Sequence, residues 1–375
     1  MNAAMPIRVL HLRDSAWIDG PGRTVLETAS AVDRSRLDYH MGAFVADTSA
    51  PHAFVDEARR RGLPVHAIPD VGGLSSQVID RIVALIDEHR IEVLHTSEFR
   101  SNVMGLLIRR RRPGLRLVAT VHGWIANDLK GRVYRLADKA LLRLFDAAIF
   151  VSGATLNLIP RWWRPRRVHV LPNALVMSNY AGVGEKRRPF AADGHVTLLS
   201  VGRLSPEKAQ DAMIRALAQL LPREPRLRLR IAGHGPLEAS LKALAAELGV
   251  AERVQFLGFV QNMRPEYDAA DLVVQSSITE GMPNVILEAA VLGVPILATD
   301  VGGTAEVVEH GKGAWLIPPA SQAQLVDGLS RFLDDPAEFA ARALAARAVA
   351  AKKFSFNTRT DDLTSIYEKL IGSAP

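Results

Sequence analysis

The chain has 375 residues, of which 48% are hydrophobic and 23% charged, with a net charge of +6 and no cysteine. That length exceeds one ordinary core and suits two domains, and the composition is that of a folded globular protein rather than a disordered one. The lack of cysteine excludes disulfide frameworks, thiolate nucleophiles and cysteine-held zinc, and it fits a reducing compartment.

Apolar residues begin at once in Ile7-Arg8-Val9-Leu10-His11-Leu12, which reads as a first strand and not as a signal peptide. No stretch approaches the ~20 uninterrupted apolar residues of a membrane-spanning helix. A cytoplasmic protein is expected, at most peripheral on the inner face of the membrane. The positive charge is uneven: residues 1–180 hold 25 Lys+Arg against 17 Asp+Glu, the remainder 21 against 23. A basic first half suits phosphates or anionic lipid.

Strand-like and helical runs alternate along the whole chain, the pattern of parallel α/β sheets. In the first half, strands are expected at Arg8–Leu12, Asp38–Val45, Val65–Ala67, Val93–His95, Leu115–Thr120, Ala147–Val151 and Val168–Leu171. Helices are expected between them, the first at Arg23–Ala31. Residues 179–194, with Gly182, Gly184, Pro189 and Gly194, read as a linker. The second half repeats the theme, with strands near Val196–Val201, Leu227–Ala232, Val254–Leu257, Leu272–Gln275, Pro295–Thr299 and Ala314–Ile317. The expected organisation is a domain over 1–178, the linker, a domain over 195–355 and a terminal helix over 356–375. Folds of this kind bind ligands at the carboxyl ends of their strands.

In the first half, Gly20-Pro21-Gly22-Arg23-Thr24 opens a helix and could meet a phosphate through its backbone. Thr120-Val121-His122-Gly123 follows a β-run and puts His122 at a strand end. In the second half, Ser276 to Ala289 is the most informative stretch. A strand ends near Gln275, a loop carries Glu280, Gly281, Met282 and Pro283, and an apolar-periodic helix starts at Asn284 and Val285. A helix start suits a phosphate because its first N–H groups lack intrahelical partners. Glu280 and Glu288 then flank that start, spaced too widely for the paired acid and base of a glycosidase. They suit hydroxyl groups at opposite ends of an extended ligand.

Glu280-Gly281-x-Pro283-Asn284-x-x-x-Glu288-Ala289 resembles the E-x7-E signature of the retaining glycosyltransferase family 4, which has the GT-B fold. Ser200-Val201-Gly202-Arg203-Leu204-Ser205-Pro206-Glu207-Lys208, Ile231-Ala232-Gly233-His234-Gly235-Pro236, Phe256-Leu257-Gly258, Gly293-x-Pro295 and Gly302-Gly303-x-x-Glu306 match the same family in order. The resemblance implies two Rossmann-like, doubly wound domains facing across a cleft, with the last helix crossing back to the first domain. It implies a nucleotide diphosphate sugar (UDP- or GDP-sugar) as substrate, no cofactor and no metal. Arg203 and Lys208 would hold the donor diphosphate, Glu288 the ribose hydroxyls and Glu280 the transferred sugar. Gly281 to Val285 would line the phosphates and sugar, Phe259 and Val260 would lie near the base, and His122 near the donor sugar. The family usually has adjacent glycines where this chain has Gly20-Pro21-Gly22. No residue has the setting of a protein nucleophile.

The expected reaction is transfer to a hydroxyl of a sugar, lipid-linked or small-molecule acceptor, in bacterial polysaccharide, glycolipid or glycoconjugate synthesis. Arg161-Trp162-Trp163-Arg164 and Arg109 to Arg112 suit a peripheral membrane contact or a phosphorylated acceptor, although helix-end and core packing explain them as well. No nucleic-acid motif is present. The rival readings are a nucleotide-sugar epimerase or a phosphorylase on the same fold, and a catalytically silent nucleotide-sugar-binding protein. A nicotinamide dehydrogenase is disfavoured because no G-x-G-x-x-G follows the first strand.

Overall fold

The computed structural model describes residues 5–46, 51–70, 72–124, 129–180, 189–309 and 311–372. It divides into two compact units, Met1–Val176 with Ser355–Pro375, and Met177–Phe354. Half of the segment read as a linker, residues 181–188, lies outside the described residues.

The first unit holds a parallel sheet of β1 (Ile7–Arg13), β2 (Leu37–Val45), β3 (Val65–Pro69), β4 (Val93–Thr96), β5 (Arg116–Val121), β6 (Ala147–Phe150) and β7 (Arg167–Val170), in the order β3-β2-β1-β4-β5-β6-β7. Strand alternation sends Val9, Val93 and Val118 to one face and Leu10, Leu94 and Leu117 to the other, each with its own buried core. The terminal helix Phe356–Gly372 covers the first of these faces. Its Leu363, Ile366, Tyr367 and Leu370 recur at helical spacing and are buried there with Val9 and Val25. The helix is also stitched to the unit by polar contacts: the Phe356 N–H donates to the Leu175 carbonyl at 3.1 Å, and Arg359 Nε to the Pro172 carbonyl at 3.1 Å.

The second unit holds β8 (Val196–Val201), β9 (Leu227–Ala232), β10 (Val254–Gly258), β11 (Leu272–Gln275), β12 (Ile296–Thr299) and β13 (Trp315–Ile317), all parallel, in the order β10-β9-β8-β11-β12-β13. Both orders run 3-2-1-4-5-6, the doubly wound arrangement whose direction of winding reverses between two central strands. The reversal falls between β1 and β4 in one unit and between β8 and β11 in the other. Loops leaving the carboxyl ends of those neighbours splay apart, and a crevice results. In the second unit these are the loops that begin at Gly202 and at Ser276.

Three local readings need correction. The first helix starts at Gly20, not Arg23, because the Asp19 side chain caps it and accepts from the Gly22 N–H, and Pro21 suits a first turn. The helical run expected over Arg132–Phe145 is a helix over Leu129–Leu141 that passes into a tighter turn, Leu142–Leu144. A short helix, Arg264–Ala269, has no counterpart in the sequence reading, since six residues are too few to display a period.

Candidate active site

The site in the second unit is built from four loops at the carboxyl ends of β8, β9, β11 and β12, joined through their backbones. Gly202 N–H donates to the Ala232 carbonyl at 2.9 Å, and Leu204 N–H to the His234 carbonyl at 3.1 Å. The Ile278 N–H donates to the Glu207 carbonyl at 2.8 Å, and the Gly303 N–H to the Gly281 carbonyl at 2.7 Å. Ser276 Oγ reaches the carbonyls of Lys208 and Ala209, and Thr299 Oγ1 that of Ser277. Two glycines make the crossings possible. A Cβ on Gly233 would lie 2.0 Å from the Gly202 carbonyl oxygen, and one on Gly302 would lie 2.2 Å from that of Glu280.

On this frame Lys208 and Glu280 meet. Lys208 Nζ donates to Glu280 Oε1 at 2.6 Å, and Ser277 Oγ donates to the same oxygen at 2.7 Å. Both charged side chains are largely covered, so the pair is less screened than a surface one. Arg203 sits at the start of the same loop with an exposed side chain, and its guanidinium has no ion pair among the described residues. Gly281 is half-buried and Met282 and Pro283 are buried. Pro283 precedes the helix Asn284–Leu292, and no side chain caps that helix. Asn284 and Val285 are half-buried in its first turn.

Glu288 stands one turn further along and is 5% exposed. Its Oε2 accepts from Tyr267 at 2.6 Å and its Oε1 from Tyr180 at 3.2 Å. The two glutamates of the motif thus have different settings, one salt-bridged on a loop and one held by phenols on a helix. Phe259 leaves the end of β10 with 69% of its surface exposed, edge-on to the His234 ring, and Val260 follows half-buried. Tyr180, Tyr267, Ser277 and His234 were not singled out from the sequence. His234, between two glycines, and Ser277, inside the most informative stretch, lie in motifs, whereas Tyr180 and Tyr267 carry no signal.

In the first unit, His122 follows β5. The Gly20–Gly22 turn lies at the reversal between β1 and β4, but its Gly22 N–H is already engaged by Asp19. Asp19 also accepts from Arg13 Nη2 at 2.5 Å, and Arg13 Nη1 donates to Glu98 at 3.0 Å. Beside them is a buried polar row on the face covered by the terminal helix. His11 and His95 stack with ring centroids 4.1 Å apart. His11 bonds Tyr39 at 2.5 Å and Ser97 at 2.7 Å; His95 bonds Tyr367 at 2.5 Å and Thr120 at 2.7 Å.

Burial, reinforced by Arg359, pushes His95 and His122 down to about 3; burial and its histidine neighbours hold His11 well below the usual range. Burial raises Glu98 to about 7 against the pull of Arg13. The signs oppose. Buried neutral histidines stabilise the fold above the unfolded histidine pKa of about 6.5, and that stability is lost as pH falls below it. Glu98 contributes stability at low pH that is lost as pH rises through about 7. As pH falls from about 7.5 to about 5.5, the three lowered histidines, His11, His95 and His122, lose stability and the one raised carboxyl, Glu98, returns part of it. Urea unfolding should therefore show the protein weaker at the lower pH. Equal or greater stability there would refute the neutral histidines.

The basic tracts are mostly engaged. Arg109 pairs with Asp146, Arg111 with Asp80 and Arg112 with Asp87. Trp163 packs against the core, whereas Trp162 is 70% exposed between exposed Arg161 and half-buried neighbours. Among the described residues, no helix is long and apolar enough to cross a membrane.

Comparisons with known proteins agree with this geometry. Residues 184–349 match the family described as glycosyl transferases group 1, and residues 19–174 match the glycosyl transferase 4-like domain. The D-inositol 3-phosphate glycosyltransferase of Thermobispora bispora is 30% identical over 367 residues, covering 89% of this chain and 82% of that one. The GDP-mannose-dependent alpha-(1-6)-phosphatidylinositol monomannoside mannosyltransferase of Mycolicibacterium smegmatis is 29% identical, covering 75% of this chain and 78% of that one. Among solved structures, the Anabaena HepE protein in complex with UDP-glucose superposes with a TM-score of 0.83 at 22% identity, over 97% of this chain and all of that one. The chain therefore belongs to the group 1 glycosyl transferases, family 4, and is a glycosyltransferase with the GT-B fold.

Proposed function

We propose that the chain is a retaining glycosyltransferase that moves a sugar from a nucleotide diphosphate sugar to a hydroxyl acceptor, without a metal or other cofactor. The observation that carries this reading is the cationic loop at the β8–β11 reversal, which presents an exposed Arg203 and a Lys208 salt-bridged to Glu280 on the neighbouring loop. A departing diphosphate gains negative charge as the bond from its oxygen to the sugar C1 breaks. Cations already fixed in place stabilise that charge without reorganising, so a metal is not needed.

In this reading Lys208 and Arg203 receive the diphosphate. Glu280 orients the transferred sugar, Glu288 the ribose, the 281–285 backbone meets the phosphates, and exposed Phe259 offers a flat face to the base. The acceptor hydroxyl attacks C1 on the face the diphosphate leaves. Its proton passes to a diphosphate oxygen, and the new C1–O bond keeps the original configuration. His122 would serve the transferred sugar, whereas the Gly22 N–H, held by Asp19, is already engaged. The acceptor is a sugar, a lipid-linked molecule or a small molecule, and exposed Trp162 with its arginine neighbours suits a peripheral contact with anionic lipid.

The relatives' names include both GDP-mannose and UDP-glucose, so the base is the first question. Thermal melting with UDP, GDP and ADP should single out one diphosphate, because only a ligand of the folded form raises the midpoint. The anomeric configuration of the product then tests retention by NMR. If no nucleoside diphosphate shifts the midpoint, the donor assignment fails; an inverted anomer sinks the mechanism alone.

A further inference from the structure

The first unit carries a second constellation, outside the loops described above. His40 on β2, His66 on β3 and His89, directly after the helix Ser76–Glu88, bring one ring nitrogen each to within 4.8 Å of one another. Among the described residues this is the group of three that could hold a metal ion. It lies on the other face of the sheet from His11 and His95: His40 is in register with Leu10, and His66, through Gly42, with Leu12, the residues that point to the second core.

The orientation of the rings is informative. His40 Nδ1 and His66 Nε2 face each other at 3.0 Å, nitrogen to nitrogen, so one must donate a proton to the other. The ring centroids of His89 lie 4.5 Å from His40 and 4.8 Å from His66. On the far side of His40, Nε2 is buried without a hydrogen bond, 3.2 Å from Asp38 Oδ1 but misaligned with it. A small rotation would complete a carboxylate–histidine contact there and leave Nδ1 as a lone-pair donor, the arrangement that supports metal-bound imidazoles. Two imidazoles on a tetrahedral zinc sit about 3.3 Å apart, from Zn–N bonds of ~2.0–2.1 Å. The His40–His66 gap therefore needs to open only slightly.

The geometry points to a binding site for one divalent transition ion of the zinc type, held by His40, His66 and His89, with water in the remaining position. Imidazole nitrogens select such ions over magnesium and calcium. An open cavity of about 400 Å³, lined in part by His66 and Glu88, gives the ion a route in. Asp38 and Glu88 supply negative charge near the cluster; Arg59 and Arg81 on the same cavity oppose it, and Arg81 is turned toward the Pro69 carbonyl. The bound ion would tie β2, β3 and the end of the helix Ser76–Glu88 together, a role in holding the first unit and not in sugar transfer.

The test is calorimetric titration of zinc chloride into the full-length, tag-free protein after chelator treatment. One ion per chain is expected, with magnesium giving no heat. His66→Ala and His89→Ala, both at half-exposed positions, should each weaken zinc binding at least about 10-fold, with unchanged melting in the absence of metal. His169→Ala, at a half-buried histidine of β7 outside the cluster, should bind as the parent does. Cobalt should give the visible absorption of a four-coordinate site in the parent and lose it in a His66→Ala/His89→Ala double variant. Equal zinc affinity in that double variant and the parent, or no saturable binding by the parent, overturns the proposal.

Discussion

Arg203→Ala is expected to lower kcat about 10²–10³-fold, the scale found when one preorganised donor to a developing anion is removed, while melting stays unchanged. The guanidinium is exposed and has no ion pair among the described residues, so its loss removes no contact seen there. Lys208→Ala should lower kcat by a similar factor but also reduce stability by about 1–3 kcal/mol, because Glu280 keeps, among the described residues, Ser277 alone as a side-chain partner. Glu288 behaves differently again. Glu288→Ala would leave the Tyr267 and Tyr180 hydroxyls without their carboxylate acceptor, so a stability loss accompanies lost transfer. Glu288→Gln keeps an acceptor and isolates the effect on the donor. Steady-state kinetics and melting on the same preparations separate these outcomes. Near-parental turnover in both Arg203→Ala and Lys208→Ala would remove the cationic loop from the mechanism.

Gly302→Ala and Gly233→Ala should each destabilise the second unit by about 2–4 kcal/mol and abolish transfer. In both, the new methyl would meet a carbonyl oxygen at 2.2 Å or less, and a backbone atom cannot swing aside as a side chain can. The obstructed carbonyls belong to Glu280 and Gly202, so the displaced segments are the ones that carry Glu280 and Arg203. Backbone strain adds to this, because both glycines have positive φ, +55° and +135°. Gly249→Ala is the matched comparison: its φ is +70°, and nothing lies within 4 Å of the added Cβ. It should cost only the left-handed strain of about 1–2 kcal/mol. If Gly302→Ala unfolds at the same denaturant concentration as Gly249→Ala, steric crossing is not what glycine provides there.

Several features of the protein were legible before any coordinates. β-branched runs separated by amphipathic periods identify parallel α/β sheets, because periods of 2 and 3.6 are imposed by backbone geometry alone. The loop of Glu280 and the helix beginning at Asn284 were legible for a similar reason, since Gly281 and Pro283 act on their own backbone. Local chemistry leaves local marks. Interactions between distant segments leave none. The Lys208–Glu280 contact spans 72 positions and the Tyr267–Glu288 contact 21, and neither residue type advertises its partner. His40, His66 and His89 are separated by whole elements and share a point only because β2 lies beside β3 and the following helix returns to that edge. The capture of Gly22 by Asp19, by contrast, spans three residues and is local chemistry, an Asp ahead of Pro21 being a helix-start signal.

The amino-acid order by itself determined the alternation of strand and helix, the duplication of the theme and the spacing of the two motif glutamates, all properties of the chain over one or two turns. Tertiary structure alone decided that Glu280 is salt-bridged while Glu288 is buried under two phenols, and that three scattered histidines converge. Those outcomes depend on strand order, and strand order is chosen by how complete cores bury apolar surface rather than by any short stretch of residues.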